Sequence, residues 1–316
     1  MTPDAVTVLD PGAEGHTMCG IVGLFAKDAA LEAELGAHLA TMLVSLGDRG
    51  PDSAGFAVYT PPISGAVKLT LRGPAGYDFH ALANSLRERL PEWIGIEPRA
   101  THAVLAVPPA EESKIRAMLA TVAPELVVVG TGHRMELFKE VGLPAEVARR
   151  FHLERMQGSH GIGHTRMATE SAVTIDGAHP YSTGPDQCLV HNGSLSNHNQ
   201  IRRELRRLGY RFATENDTEV AAAYLTAKLH TGLSLQAALQ ESLHDLDGFY
   251  TFVVGTETGF AVLRDPIACK PAVMAETDRF VAFGTEYRAL VDLPGIEQAR
   301  VWEPEPATVY VWDRRA

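Results

Sequence analysis

The chain has three cysteines, Cys19, Cys188 and Cys269. Cys19 stands just after Met18 and opens the run Cys-Gly-Ile-Val-Gly-Leu-Phe. A lone thiol at the head of a strand can be a nucleophile, or it can be an inert packing residue; its surroundings decide. Three other short segments are rich in polar groups at or near the ends of expected elements. They are Gly163-His-Thr-Arg-Met-Ala-Thr169, His191-Asn-Gly-Ser194 and Asn216-Asp-Thr-Glu219. Taken singly, each has an ordinary structural explanation. Arg166 could be a surface charge, Asn192-Gly193 a hairpin turn and Asp217 a helix cap. The thirteen histidines prompt a search for a metal site. His160 and His164 share one face of a strand, but no H-E-x-x-H pattern or C-x-x-C pair accompanies them. Hydrogen-bonded packing is the expectation for these histidines, with no metal.

The elements that must position these segments follow from hydrophobic spacing. Gly20 to Phe25 is an apolar run suited to a buried strand. Asp28 to Leu46 reads as a helix, with Leu31, Leu35, Leu39, Met42, Leu43 and Leu46 on one face. The turn cluster Gly47-Asp-Arg-Gly-Pro-Asp52 ends it, and Ala54 to Tyr59 is a strand. From about Pro61 to Gly158, strand signals at 67–71, 103–107 and 125–129 mix with helical ones at 81–90 and 112–120. This stretch is expected to be an inserted α/β subdomain. Strands return at 160–167 and 187–191. Helices follow at 197–208, at 217–229 with Asp217 as its cap, and from Ser234 to about His244. Strands at 250–254, 260–263, 272–275, 280–283 and 308–311 complete the pattern. No regular βαβ alternation and no G-x-G-x-x-G or P-loop motif is present.

Composition narrows the function classes. The 316 residues are 45% hydrophobic and 21% charged, which is globular and not disordered. A net charge of -11 argues against the basic footprint of a nucleic-acid-binding protein. No apolar run is long enough to span a membrane. Few, scattered cysteines exclude a disulfide scaffold and imply a reducing, cytoplasmic setting. Residues 1–18 lack the basic start and apolar core of a secretory signal.

Together, the segments resemble the class II glutamine amidotransferases, which are N-terminal nucleophile hydrolases. Cys19-Gly-Ile-Val-Gly23 is similar to the family's mature N-terminus. Arg49-Gly-Pro-Asp-Ser-Ala-Gly55 resembles its R-G-x-D-S-x-G segment, and Gly163 to Thr169 its G-H-x-R-x-[AS]-T strand. His191-Asn-Gly and Asp217-Thr-Glu match two more segments. Arg264-Asp-Pro-Ile-Ala-Cys-Lys-Pro271 is similar to R-D-x-x-G-x-[KR]-P, with Ala268 where glycine is frequent. Phe283-Gly-Thr-Glu-Tyr-Arg-Ala-Leu290 is similar to the S-E-x-x-A-L ending, with Thr285 in place of serine. The resemblance runs from Cys19 to about Leu290, interrupted by the insertion.

The resemblance implies a four-layer αββα sandwich carrying the inserted α/β subdomain, with the amidotransferase domain over 19–316. It also implies roles. Cys19 is the nucleophile, and its own α-amino group, with an ordinary pKa of roughly 7.7–8.0, is the base. The Asn192 side chain and the Gly193 N–H receive the oxyanion. Arg166 grips the substrate carboxylate as a planar fork, Thr169 adds a hydrogen bond to it, and Asp217 takes the substrate ammonium. A free amine on Cys19 requires that residues 1–18 be a propeptide or that translation start at Met18.

The motifs run so close to the end of the chain that no synthase domain fits behind them. A chain of this layout resembles the amidotransferase subunit of glutamate-synthase-like enzymes such as N-methylglutamate synthase. L-Glutamine is then the substrate and a glutamate-synthase-like flavoprotein the partner that receives ammonia. No cofactor is expected in this chain, because its cysteines are too few for a cluster; FMN and iron–sulfur would belong to the partner. A stand-alone γ-glutamyl amide hydrolase and a catalytically silent binding subunit remain open alternatives.

Overall fold

The computed structural model describes residues 19–90, 95–168 and 173–314. The expectations for residues 1–18 and for Thr169 lie outside the described residues. Along the chain run β1 (Gly20–Ala26), α1 (Ala29–Ser45), β2 (Ser53–Tyr59), β3 (Val67–Arg72), α2 (Phe79–Arg89), β4 (Gly95–Arg99), β5 (His102–Val107) and α3 (Glu112–Val122). Then come β6 (Val127–Gly132), β7 (Met135–Val141), α4 (Pro144–Arg150), β8 (His160–Arg166), β9 (Tyr181–Gly184) and β10 (Gln187–Leu195). The C-terminal part holds α5 (His198–Arg207), α6 (Asp217–His230), α7 (Leu235–Asp245), β11 (Gly248–Gly255), β12 (Gly259–Arg264), β13 (Val273–Glu276), β14 (Phe280–Gly284), β15 (Arg300–Trp302) and β16 (Thr308–Asp313).

Two sheets form the centre. One has seven strands in the order β15-β13-β14-β1-β8-β2-β7, and the other has five in the order β16-β12-β11-β10-β9. Strand β1 shows why they stack. Its side chains alternate faces, yet all seven residues are buried. Val22 and Leu24 meet Leu35, Leu39, Met42 and Leu43 of α1, while Ile21 and Phe25 meet Val253, Phe260 and Val262 of the five-stranded sheet. The other face of that second sheet is covered by α5, α6 and α7, through Leu205, Ala221, Leu225 and Leu239 against Leu189, Phe252, Val254 and Leu263. The layers are thus helix, sheet, sheet, helix, the αββα sandwich that the resemblance implies. No described helix is long and apolar enough to cross a membrane.

Helix α1 begins where Asp28 accepts a hydrogen bond from the Leu31 N–H at 2.8 Å. The inserted lobe is a separate four-stranded sheet, β4-β5-β3-β6, packed on α2 and α3 through Leu69, Leu71, Leu86, Leu105, Ile115 and Leu119. Its extent is narrower than 61–158. After Gly132 the chain returns to the main body: β7 pairs antiparallel with β2, Met135 opposite Tyr59. Val147 and Phe151, in and just after α4, join the α1 core. Two local readings also change. Asn192-Gly193 is no turn but the interior of β10, opposite Thr251 and Tyr250 of β11. Asn216, not Asp217, caps α6, its side chain accepting from the Thr218 N–H at 2.8 Å; Asp217 is the first helical residue.

Candidate active site

Strand register brings the chemistry-bearing segments to one end of the sandwich. Cys19 directly precedes β1, and Gly20 pairs with Thr165, one residue before Arg166 at the end of β8. From the facing sheet, the Asn192 Nδ2 donates to the Cys19 carbonyl at 3.1 Å. The Cys19 Sγ lies 3.9 Å from the Met167 carbonyl oxygen, so the thiol sits beside the end of the arginine strand. Arg166 is buried and is therefore no surface charge. Asp217 reaches back to the same strand as Asn192: its Oδ2 accepts from the Leu195 N–H at 3.0 Å, and its Oδ1 is 3.7 Å from the His191 Nδ1. Cys19, Arg166, Asn192, Gly193 and Asp217 thus converge on one region.

Gly193 has a φ of 140°, a conformation that favours glycine. A Cβ there would lie 2.0 Å from the Phe249 carbonyl oxygen. Only a residue without a side chain lets β10 keep its pairing with β11 while the backbone turns in this way. Ala268, at the position where the family often has glycine, takes a φ of 53° in a turn. Its loop is fixed by the buried Arg264, which donates to the Ala268 and Lys270 carbonyls at 2.7 and 2.9 Å. That motif holds a loop.

Electrostatics separate the two ionisable groups. Burial pushes the Cys19 thiol above its ordinary value, and the positive charges of Arg166 and Lys270 pull it back only in part. Burial thus favours the protonated form of the thiol. Burial works against the Asp217 carboxylate too, but the neighbouring His191 ring and the Leu195 N–H outweigh it. Asp217 is lowered to about 2 and stays anionic. His191 also shares a hydrogen bond with the Thr218 hydroxyl at 3.0 Å, and His164 one with the His191 carbonyl at 3.1 Å. His160 meets the Thr256 carbonyl at 2.8 Å. These histidines pack and orient. Among the described residues, no group of three histidine, cysteine or acidic side chains could hold a metal ion.

Several supporting residues carry no role in the sequence reading. The Arg49 Nε donates to the Cys19 carbonyl at 3.4 Å while its Nη1 pairs with Glu286. The Asp52 carboxylate accepts from the Ala168 N–H at 2.8 Å, two residues after Arg166. Thr285 Oγ1 accepts from the Ile21 N–H at 2.8 Å, anchoring the start of β1. All four lie inside segments that resemble family motifs, so that resemblance is the signal that marks them.

Comparison with known proteins points to one family. A family model described as a glutamine amidotransferase domain matches residues 164–292. The chain is 60% identical over 300 residues to the glutamine amidotransferase-like protein GlxB of Rhizobium meliloti (strain 1021), covering 94% of this chain and 99% of that relative. It is 36% identical over 116 residues to the glutamine–fructose-6-phosphate aminotransferase of Shewanella oneidensis, which is 37% of this chain and 19% of that enzyme. Among solved structures it is similar to the glutamine phosphoribosylpyrophosphate amidotransferase from B. subtilis, with a TM-score of 0.60 and 21% identity. That match covers 94% of this chain and 48% of the solved one, about half its length, and bears on the fold alone.

Proposed function

Since this chain belongs to the class II glutamine amidotransferases, we propose that it hydrolyses L-glutamine through a γ-glutamyl thioester on Cys19 and passes the ammonia to a partner synthase. The observation that carries the reading is the Asn192 amide, 3.1 Å from the Cys19 carbonyl and on the strand facing the nucleophile. Cys19 attacks the side-chain amide carbon, and its thiol proton goes to the Cys19 α-amine once the residues before it are absent. Charge then develops on the amide oxygen, where the Asn192 side chain and the Gly193 N–H stabilise it. The intermediate collapses, the amine returns the proton to the leaving nitrogen, and ammonia departs. Water cleaves the thioester to give glutamate and restore the thiol. The raised pKa of Cys19 supports the need for a base. Arg166 holds the substrate carboxylate and the anionic Asp217 its ammonium.

The acceptor is a glutamate-synthase-like flavoprotein, of the kind that serves N-methylglutamate synthase. The test is glutamate release from glutamine, together with capture of the acyl group by hydroxylamine as γ-glutamyl hydroxamate. Cys19→Ser should reduce turnover by orders of magnitude, because a hydroxyl is the poorer nucleophile at neutral pH. Near-normal turnover by that variant would remove Cys19 from the mechanism. Turnover of the isolated chain should be low and rise when the synthase and its acceptor substrate are added. Full turnover with no added chain would remove the partner.

A further inference from the structure

The inserted lobe touches the substrate end of the site through a small set of contacts. Arg72, the last residue of β3, has its Nη2 2.6 Å from the Asp176 Oδ1. Asp176 belongs to segment 173–180, which leads from the arginine strand toward β9. That segment lies against the Arg166 guanidinium: a Cβ on Gly177 would be 3.4 Å from the Arg166 Nη1. Lys139 holds the same segment from beneath. Its Nζ donates to the Ala178 carbonyl at 2.7 Å and the Asp176 carbonyl at 3.4 Å, and stands 4.4 Å from the centre of the Tyr181 ring. The Tyr181 hydroxyl donates to the Asp176 carbonyl at 2.8 Å.

Register explains how Lys139 reaches there. Lys139 is opposite Gly55, and Gly55 is opposite His164, two residues before Arg166. Directly paired residues share a sheet face, and so do residues two apart. Lys139 and Arg166 therefore project from the same face. A Cβ on Gly55 would lie 2.2 Å from the His179 carbonyl oxygen and 2.6 Å from the Lys139 Cβ. The bare backbone at Gly55 is what lets the segment cross the sheet and the lysine rise beside it.

We propose that Arg72 is a positioning residue that clamps segment 173–180, held from the main sheet by Lys139, against Arg166, so that the inserted lobe sets the grip on the glutamine carboxylate. The proposal rests on the reading of Arg166 given above. Arg72 is the lobe's own contribution. Its pair with Asp176 is half exposed on the aspartate side, at 53%, so its effect is modest and sensitive to salt.

The experiment is steady-state glutaminase kinetics on the full chain with Arg72→Met, Asp176→Asn, the double variant, Arg72→Lys and Arg166→Lys. Arg72→Met and Asp176→Asn should each raise KM for glutamine about two- to fivefold with little change in kcat. The double variant should be no worse than the larger single effect, and Arg72→Lys should recover part of the loss. In the unaltered protein, rising salt should raise KM toward the variant's value, while Arg72→Met should respond less. If Arg166→Lys raises KM but Arg72→Met and salt do not, the clamp is wrong and the reading of Arg166 stands. If none of the three moves KM, both fall.

Discussion

Replacing Thr285 tests how the strand that follows Cys19 is held. The Thr285 Oγ1 accepts from the Ile21 N–H at 2.8 Å, and the Thr285 N–H donates to the Ile21 carbonyl at 2.9 Å. Ile21 is fully buried and Thr285 nearly so, so water cannot replace the hydroxyl. Thr285→Val keeps the shape and the backbone bond but leaves the Ile21 N–H without its acceptor. A buried donor stranded in this way costs about 1–3 kcal/mol. Thr285→Ser keeps the oxygen and loses one methyl, so it should cost less, on the order of 1 kcal/mol. Because the stranded N–H lies two residues after Cys19, Thr285→Val should also lower kcat more than it alters KM. Denaturant unfolding read by fluorescence gives the stability difference, and glutamate release gives the kinetics. If Thr285→Val unfolds at the same denaturant concentration as the unaltered protein, the hydroxyl does not anchor β1. A larger loss by Thr285→Ser than by Thr285→Val would point to the methyl and against the hydrogen bond.

Gly193→Ala should cost about 2–5 kcal/mol, since it combines an unfavourable φ with a Cβ 2.0 Å from the Phe249 oxygen; an unchanged melting temperature would show that β10 does not take this path. Asp217 carries a pH signature. Its carboxyl is lowered to about 2 from an ordinary 3.8, so its contribution is present above the ordinary value and lost as pH falls toward 2. Between about pH 5 and pH 2 the unaltered protein should lose about 2 kcal/mol more stability than Asp217→Asn. Equal losses in urea titrations at the two pH values would contradict the lowered pKa.

Elements with local signals were legible in the sequence. The β1 run is apolar on both faces because it is covered on both sides, and α1 shows its buried stripe and its Asp28 cap. Strand β7 was not anticipated. It carries Glu136, Lys139 and Glu140, all buried, and charges in a short segment read as surface until their partners are known. Asn192-Gly193 misleads for a related reason. The pair is a strong local turn signal, and only the distant β11 keeps it extended. Of the candidate site, Cys19, Arg166, Asn192, Gly193 and Asp217 stand in short motifs, and the structure brings these motifs together. Arg72 and Lys139 could not be read in the sequence, because their contacts depend on strand register between segments far apart in the chain.

The way the lobe joins the main body has a consequence for separating the two. Met135 lies opposite Tyr59, and the Thr60 N–H donates to the Arg134 carbonyl at 2.9 Å. Topologically, everything between Thr60 and Arg134 is therefore an enlarged hairpin loop, and a tight turn could close the gap. Energetically the lobe is not so detachable. The buried Glu136 on β7 pairs with the buried Lys68 of β3 at 2.8 Å and with Arg99 of β4 at 3.8 Å. Excising the lobe would remove both cations and leave only Thr60, 2.7 Å away, to face an uncompensated carboxylate. With the lobe in place, Lys68→Met would take the nearer cation from that buried carboxylate, a change that costs about 3–5 kcal/mol. The Glu136 pairs therefore tie the lobe to the main body, and a chain shortened between Thr60 and Arg134 would give them up.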